Sequence, residues 1–184
     1  MLQISYGFVL TAISLSWLAA RVLAWTRQKT GSWKREAQLL LVYICIVVVV
    51  RFTFFPFSKV NGNIQPLLLD VDKMFPPRIN LIPFVHLFDY PVFREALLNL
   101  IGNTAMFLPL GIVWPSVYRE LDSHKKVILS GFLTSLGIEI LQLPFYDRVS
   151  DIDDLLLNTL GFLAGYGIYL LVKKIRKKSS GILN

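Results

Sequence analysis

LLNLIGNTAMFLPLGIVWPSV, residues 97–117, decides the fold class. The run contains no charged residue and matches the roughly 20 apolar residues one helix needs to cross a bilayer core. Asn99 and Asn103 lie inside it and Pro109 sits midway. Comparable runs occur on both sides. They fall near 4–25, 37–57, 127–145 and 155–172, which predicts five transmembrane helices. Composition agrees: 54% of the residues are hydrophobic and 17% charged, where soluble domains carry about 25% charged residues. The expected fold is all-α, a polytopic membrane helix bundle forming a single domain over residues 1–184.

The 4–25 run lacks a basic leader and a small-residue cleavage site, so it reads as a retained span. Residues 58–94 form a long connection between the second and third spans. Its apolar pieces, Pro66–Leu69 and Ile79–Val85, are too short to cross, so an interfacial or re-entrant outer loop is expected. Cys45 is the only cysteine, which excludes an intrachain disulfide and a thiolate zinc site. It reads as a small core or lipid-facing residue.

Charge placement sets orientation. The 1–2 connection, the 3–4 connection and the C-terminal tail, together with Arg21, hold 13 of the 19 Lys and Arg residues. Only Glu36, Glu120 and Asp122 of the 12 acids lie with them. The expected topology puts the N-terminus outside and the C-terminus in the cytoplasm. The net charge of +7 then serves anionic lipid at the inner leaflet, not nucleic acid. His124, beside Lys125, reads as a solvated residue of that inner side.

Polar residues within spans are costly and therefore informative. Under this topology Arg51, Asn99, Asn103, Glu139, Gln142, Asp154 and Asn158 all fall in outer halves, with Arg148, Asp151 and Asp153 in the last outer connection. Asn99 and Asn103 share a helix face at i, i+4, and Glu139 and Gln142 at i, i+3. If the last helix begins near Asp151, then Asp151, Asp154, Asn158, Gly161 and Gly165 form one stripe, whose Gly161-x-x-x-Gly165 end is a helix-packing face. Each feature also has a structural reading. The Asn pair serves as interhelical glue, Glu139 pairs with Arg51, and His86 is an ordinary loop residue. A carboxylate a dozen residues into a span must be protonated, paired or hydrated, which makes Glu139 the strongest site candidate.

These residues, taken in order, resemble the VanZ-like family of bacterial membrane proteins. The resemblance rests on Arg51 with Pro56; on Asn80, Leu81, Pro83 and Phe84; and on Asn99, Asn103, Phe107, Pro109 and Gly111. It continues through Glu139 and Gln142 to Arg148, Asp151, Asp154, Asn158, Gly161 and Gly165. It covers roughly residues 40 to 170. It implies an integral protein of the bacterial cytoplasmic membrane, associated with resistance to glycopeptide antibiotics of the teicoplanin type. It supplies no biochemical mechanism.

The chain has no His-Glu-x-x-His, no Gly-x-Ser-x-Gly and no phosphate-binding glycine loop. What remains is a mixed-sign outer site. Arg51, Arg94 and Arg148 suit phosphate or carboxylate capture. Asn80, His86, Asn99, Asn103, Gln142 and Asn158 complete the expected substrate-binding set. Glu139, Asp151 and Asp154 are the candidate catalytic carboxylates. No cofactor is expected, although Asp151 and Asp154 offer oxygen ligands to a divalent cation. Three readings follow. The protein binds or modifies an amphiphile at the outer leaflet, such as a membrane lipid, a lipid-linked wall precursor or the lipoglycopeptide. It is an enzyme using Glu139 as acid or base on such a lipid. Or it is a small lipid transporter or scramblase, which needs a polar path that the apolar inner halves do not offer.

Overall fold

A computed structural model describes residues 2–27, 32–55, 59–70, 72, 75–84, 93–121 and 123–182. Among them are five helices, one for each expected span: α1 (Tyr6–Arg27), α2 (Trp33–Phe54), α3 (Phe93–Val117), α4 (His124–Gln142) and α5 (Ile152–Ile182). Four hold a stretch long and apolar enough to cross a membrane: α1, α2, Leu97–Val117 of α3 and Ile152–Ser179 of α5. α4 is shorter, with 19 residues, and carries Lys125, Lys126 and Glu139. α3 continues as helix through Pro109 and Pro115. Large apolar side chains such as Phe8, Leu15, Leu18, Val22 and Leu23 of α1 are exposed. α1 buries none of its side chains. Such a surface is stable against lipid and not against water.

Among the described residues, six short strands occupy the segments between and before the helices. They are β1 (Leu2–Ile4), β2 (Lys59–Val60), β3 (Asn63–Ile64), β4 (Leu67–Leu69), β5 (Ile79–Asn80) and β6 (Ser150–Asp151). The described part of the long connection is therefore built from β pairs. β2 and β3 form a hairpin closed by Asn61 and Gly62, both at positive φ. An Asn-Gly pair is the usual chemistry of a two-residue hairpin turn. β4 pairs antiparallel with β1, with Leu2 opposite Leu69 and Ile4 opposite Leu67. β5 runs parallel to β6, with Ile79 opposite Ser150 and Asn80 opposite Asp151. Parallel pairing needs a long crossover, and here about 70 residues intervene.

The chain divides into two compact units. The first comprises Met1–Leu81 with Gly137–Ile152, the second Ile82–Leu136 with Asp153–Asn184. In the first, α1 and α2 pack as a hairpin. Arg21 grips the Glu36 carboxylate with Nε, at 2.8 Å, and Nη2. Tyr43 meets the Ser14 hydroxyl at 2.7 Å and the Trp17 ring at 5.1 Å. Val42, Cys45, Val49, Phe55 and Leu67 are buried, which makes Cys45 a core residue.

The second unit is organised by glycine. A Cβ placed on Gly161 would lie 2.0 Å from the Thr104 carbonyl oxygen, and one on Gly165 2.0 Å from that of Leu108. A Cβ on Gly111 would lie equally close to the Phe162 carbonyl. α3 and α5 therefore meet backbone to backbone, as the Gly161-x-x-x-Gly165 pattern predicts. Phe107, Leu110, Val117, Val127 and Phe162 are buried in the same unit.

Candidate functional site

The predicted site residues that the structure describes divide between the two units. In the first unit the cluster starts at the end of α2. The last carbonyls of a helix have no partner within it. Arg51, in the last turn, supplies one by donating from Nη1 to the Phe55 carbonyl at 3.1 Å. A cation there also opposes the negative end of the helix dipole. Its guanidinium lies over the Tyr6 and Phe52 rings, at 5.6 and 5.2 Å. Gln142 supplies another by donating from Nε2 to the Thr53 carbonyl at 2.7 Å. Gln142 is 4% exposed, and its Oε1 has no protein hydrogen-bond partner among the described residues.

Glu139, one turn earlier on α4, is also 4% exposed. The expected shared face of Glu139 and Gln142 is thus a buried one. Glu139 Oε2 accepts the backbone N–H of Asp151 at 2.9 Å. The Asp151 carboxylate in turn accepts from Asn80 Nδ2 through both oxygens, at 3.2 and 3.1 Å. The β5–β6 ladder sets that register, and the Ser150 N–H bonds the Arg78 carbonyl at 3.0 Å beside it. Arg148, in the same unit, is partly buried.

An apolar cavity of about 550 Å³ lies in the first unit. Ile4, Phe8, Val9 and Ile13 form part of its wall, with Val50, Leu69, Leu141 and Phe145 among the others. Phe55 is also part of the wall. Its carbonyl is the one held by Arg51, and its ring packs edge-on against Tyr6 at 5.3 Å. Arg51 is thus linked to the cavity through the Phe55 backbone, while neither Arg51 nor Gln142 is part of its lining.

In the second unit Asn103 Nδ2 donates to Asn99 Oδ1 at 2.9 Å and to Asp154 Oδ1. The expected Asn pair exists and is capped by an acid. Asn158 is 1% exposed, and its Oδ1 has no hydrogen-bond partner among the described residues. Asp153 is 5% exposed and accepts the Phe84 N–H through both carboxylate oxygens, at 2.9 and 3.1 Å. Asp153 and Asp154 both lie in the first turn of α5, where negative charge meets the positive end of the helix dipole. Among the described residues no three His, Cys, Asp or Glu side chains converge as metal ligands. His86, Pro56 and the side chain of Arg94 lie outside the described residues.

Asn80 thus bonds Asp151, whose backbone N–H bonds Glu139, and Asn103 bonds both Asn99 and Asp154. The VanZ/LLP1 family model matches residues 40–173, well over half of the chain. The chain belongs to the VanZ/LLP1 family. No curated protein and no solved structure matches it.

The sequence resemblance rests on Asp151 and Asp154 but not on Asp153, the most buried acid of the three. Nothing in its spacing marks it. Its role depends on a backbone N–H donated by Phe84, which a sequence does not display. Thr53 and Ser135 were missed in the same way. Thr53 contributes its carbonyl to Gln142, and Ser135, fully buried, points its hydroxyl at the Leu155 carbonyl at 3.4 Å. His124 is solvent-exposed, as expected, and also has a partner: its Nδ1 meets the Tyr166 hydroxyl at 2.8 Å.

Proposed function

We propose that this VanZ/LLP1 protein binds a lipid-linked molecule of the bacterial cell envelope at the outer leaflet of the cytoplasmic membrane. In this reading it protects against glycopeptides of the teicoplanin type. The observation that carries the reading is the approximately 550 Å³ apolar cavity, whose Phe55 wall is bonded to Arg51. An acyl or prenyl chain fits the cavity, and a phosphate or carboxylate headgroup fits the guanidinium. Gln142 Oε1 is a buried acceptor in the same unit for a hydroxyl or amide of that headgroup. The basic connections and tail argue for a cytoplasmic C-terminus and an outside N-terminus.

A second reading makes the protein an enzyme on the same molecule. Glu139 favours it, because a carboxylate 4% exposed and held by the Asp151 N–H has the desolvation and orientation that a general acid or base requires. Glu139→Gln keeps the hydrogen bond and the volume while removing the titratable group.

The test is teicoplanin and vancomycin susceptibility in a sensitive Gram-positive host, with membrane abundance quantified for every strain. The wild type is expected to raise the inhibitory concentration of teicoplanin. Arg51→Ala and Asp151→Asn are expected to abolish that protection at undiminished abundance. Variants that protect normally, or that lose protection only as their abundance falls, overturn the site. Binding without turnover leaves Glu139→Gln protective; turnover makes it inactive.

A further inference from the structure

The second unit carries a cavity that none of these roles uses. It has a volume of about 400 Å³. The end of α3 supplies Ser116, the residues just beyond it supply Tyr118 and Arg119, the start of α4 supplies His124, and α5 supplies Tyr166 and Lys173. Unlike the cavity of the first unit, it is lined by polar groups. Its cations are Arg119 and Lys173, and among the described residues no Asp or Glu lines it. The Lys173 ammonium lies 5.8 Å from the centre of the Tyr169 ring, which stacks on Tyr166 at 6.1 Å. The Tyr166 hydroxyl is fixed in place by His124 Nδ1. The wall thus combines two cations, a tethered phenol and an imidazole around a space large enough for a small polar headgroup.

We propose that this cavity is a phosphate site that holds the headgroup of an anionic membrane lipid. Arg119 offers a planar fork that matches phosphate oxygens bidentately. Lys173 adds a mobile point charge, and the Tyr166 hydroxyl suits a remaining oxygen. Ser116 Oγ, which donates to the Val113 carbonyl at 2.6 Å, can accept from the glycerol. The site differs from the general attraction of the tail for anionic lipid, because its cations flank a defined space walled by aromatic rings. The free tail residues Lys177 and Lys178 lie outside that wall.

The test uses the full-length protein in detergent micelles, equilibrated with equal amounts of phosphatidylglycerol and phosphatidylcholine and read by native mass spectrometry. The wild type is expected to carry phosphatidylglycerol in about tenfold preference. Arg119→Gln and Lys173→Gln, at exposed positions, are each expected to reduce that preference about tenfold, with the melting temperature unchanged. Lys177→Gln with Lys178→Gln is expected to preserve it. Equal binding of the two lipids by the wild type overturns the proposal. So does an equal loss in the tail variant, which reports diffuse electrostatics. Complete displacement of phosphatidylglycerol by low millimolar inorganic phosphate assigns the site to free phosphate and overturns the lipid assignment.

Discussion

Asp153 shows how much one side chain can hold. Its carboxylate receives the N–H of Phe84, a non-glycine residue at φ 65. An L-residue in the left-handed region costs on the order of 1–2 kcal/mol and needs local support. The carboxylate provides it by satisfying the N–H that this conformation presents. Removing it leaves a partly buried donor unmade. Asp153→Ala is expected to lower stability by about 1–3 kcal/mol, read by thermal unfolding of the purified protein in detergent. Asp153→Asn, which keeps one acceptor oxygen, is expected to lose less. Indistinguishable melting of Asp153→Ala and wild type would show that the contact is dispensable. The sequence displayed Asp151 and Asp154 through an i, i+3 spacing, although Asp151 lies in β6 and α5 begins only at Ile152. Asp153 sits off that spacing and binds a backbone group, so no side-chain pattern reveals it.

Among the elements, α3 and α5 carry the clearest energetic statement. Gly161 and Gly165 each face a carbonyl oxygen that a methyl group would strike. Gly137 on α4 has nothing within 4 Å of its missing Cβ. Gly161→Ala is expected to destabilise by about 1–3 kcal/mol through overpacking against backbone. Gly137→Ala is expected to be neutral or stabilising by up to about 1 kcal/mol, because alanine is the better helix former. Both values come from the same denaturation series in detergent, and equal effects would sink the packing argument. The helices and this contact were legible in advance. Apolar run length and small-residue spacing are direct consequences of the bilayer and of helix geometry. The strands of the long connection were not, since pairs of two or three residues carry no period. The Asn61-Gly62 turn was their one local signal. The site was half legible: Glu139, Gln142, Asn99 and Asn103 have the predicted neighbours on their own helices. The register that brings Asn80 to Asp151 depends on pairing across about 70 residues.

Across the whole molecule, the number of crossings sets which sides the termini occupy. α4 has 19 residues, about 28 Å at 1.5 Å per residue, close to the roughly 30 Å hydrocarbon core. Five crossings place the two ends on opposite faces, and four place them on the same face. In a Cys45→Ala background, Gln3→Cys is expected to react with a membrane-impermeant maleimide in intact cells. Lys178→Cys is expected to react only after permeabilisation. Labelling of both from one side would show that α4 does not cross. α5, at 31 residues, is about 46 Å long and exceeds the core, and its surplus is the basic stretch from Lys173 onward.

The backbone contact between α3 and α5 also limits how this pair can move. Where two helices touch through side chains, a ring can turn or a methyl swing aside, and neighbouring alignments differ little in energy. Here Gly111, Gly161 and Gly165 are each opposed by a carbonyl oxygen at a distance only hydrogen tolerates. Sliding α5 by a single residue would bring Leu160 or Phe162 to the place of Gly161, against an atom that cannot yield. The pair behaves as a key in its only slot, with no adjacent notch to fall into. Any working motion of the protein must then leave this pair as its fixed frame.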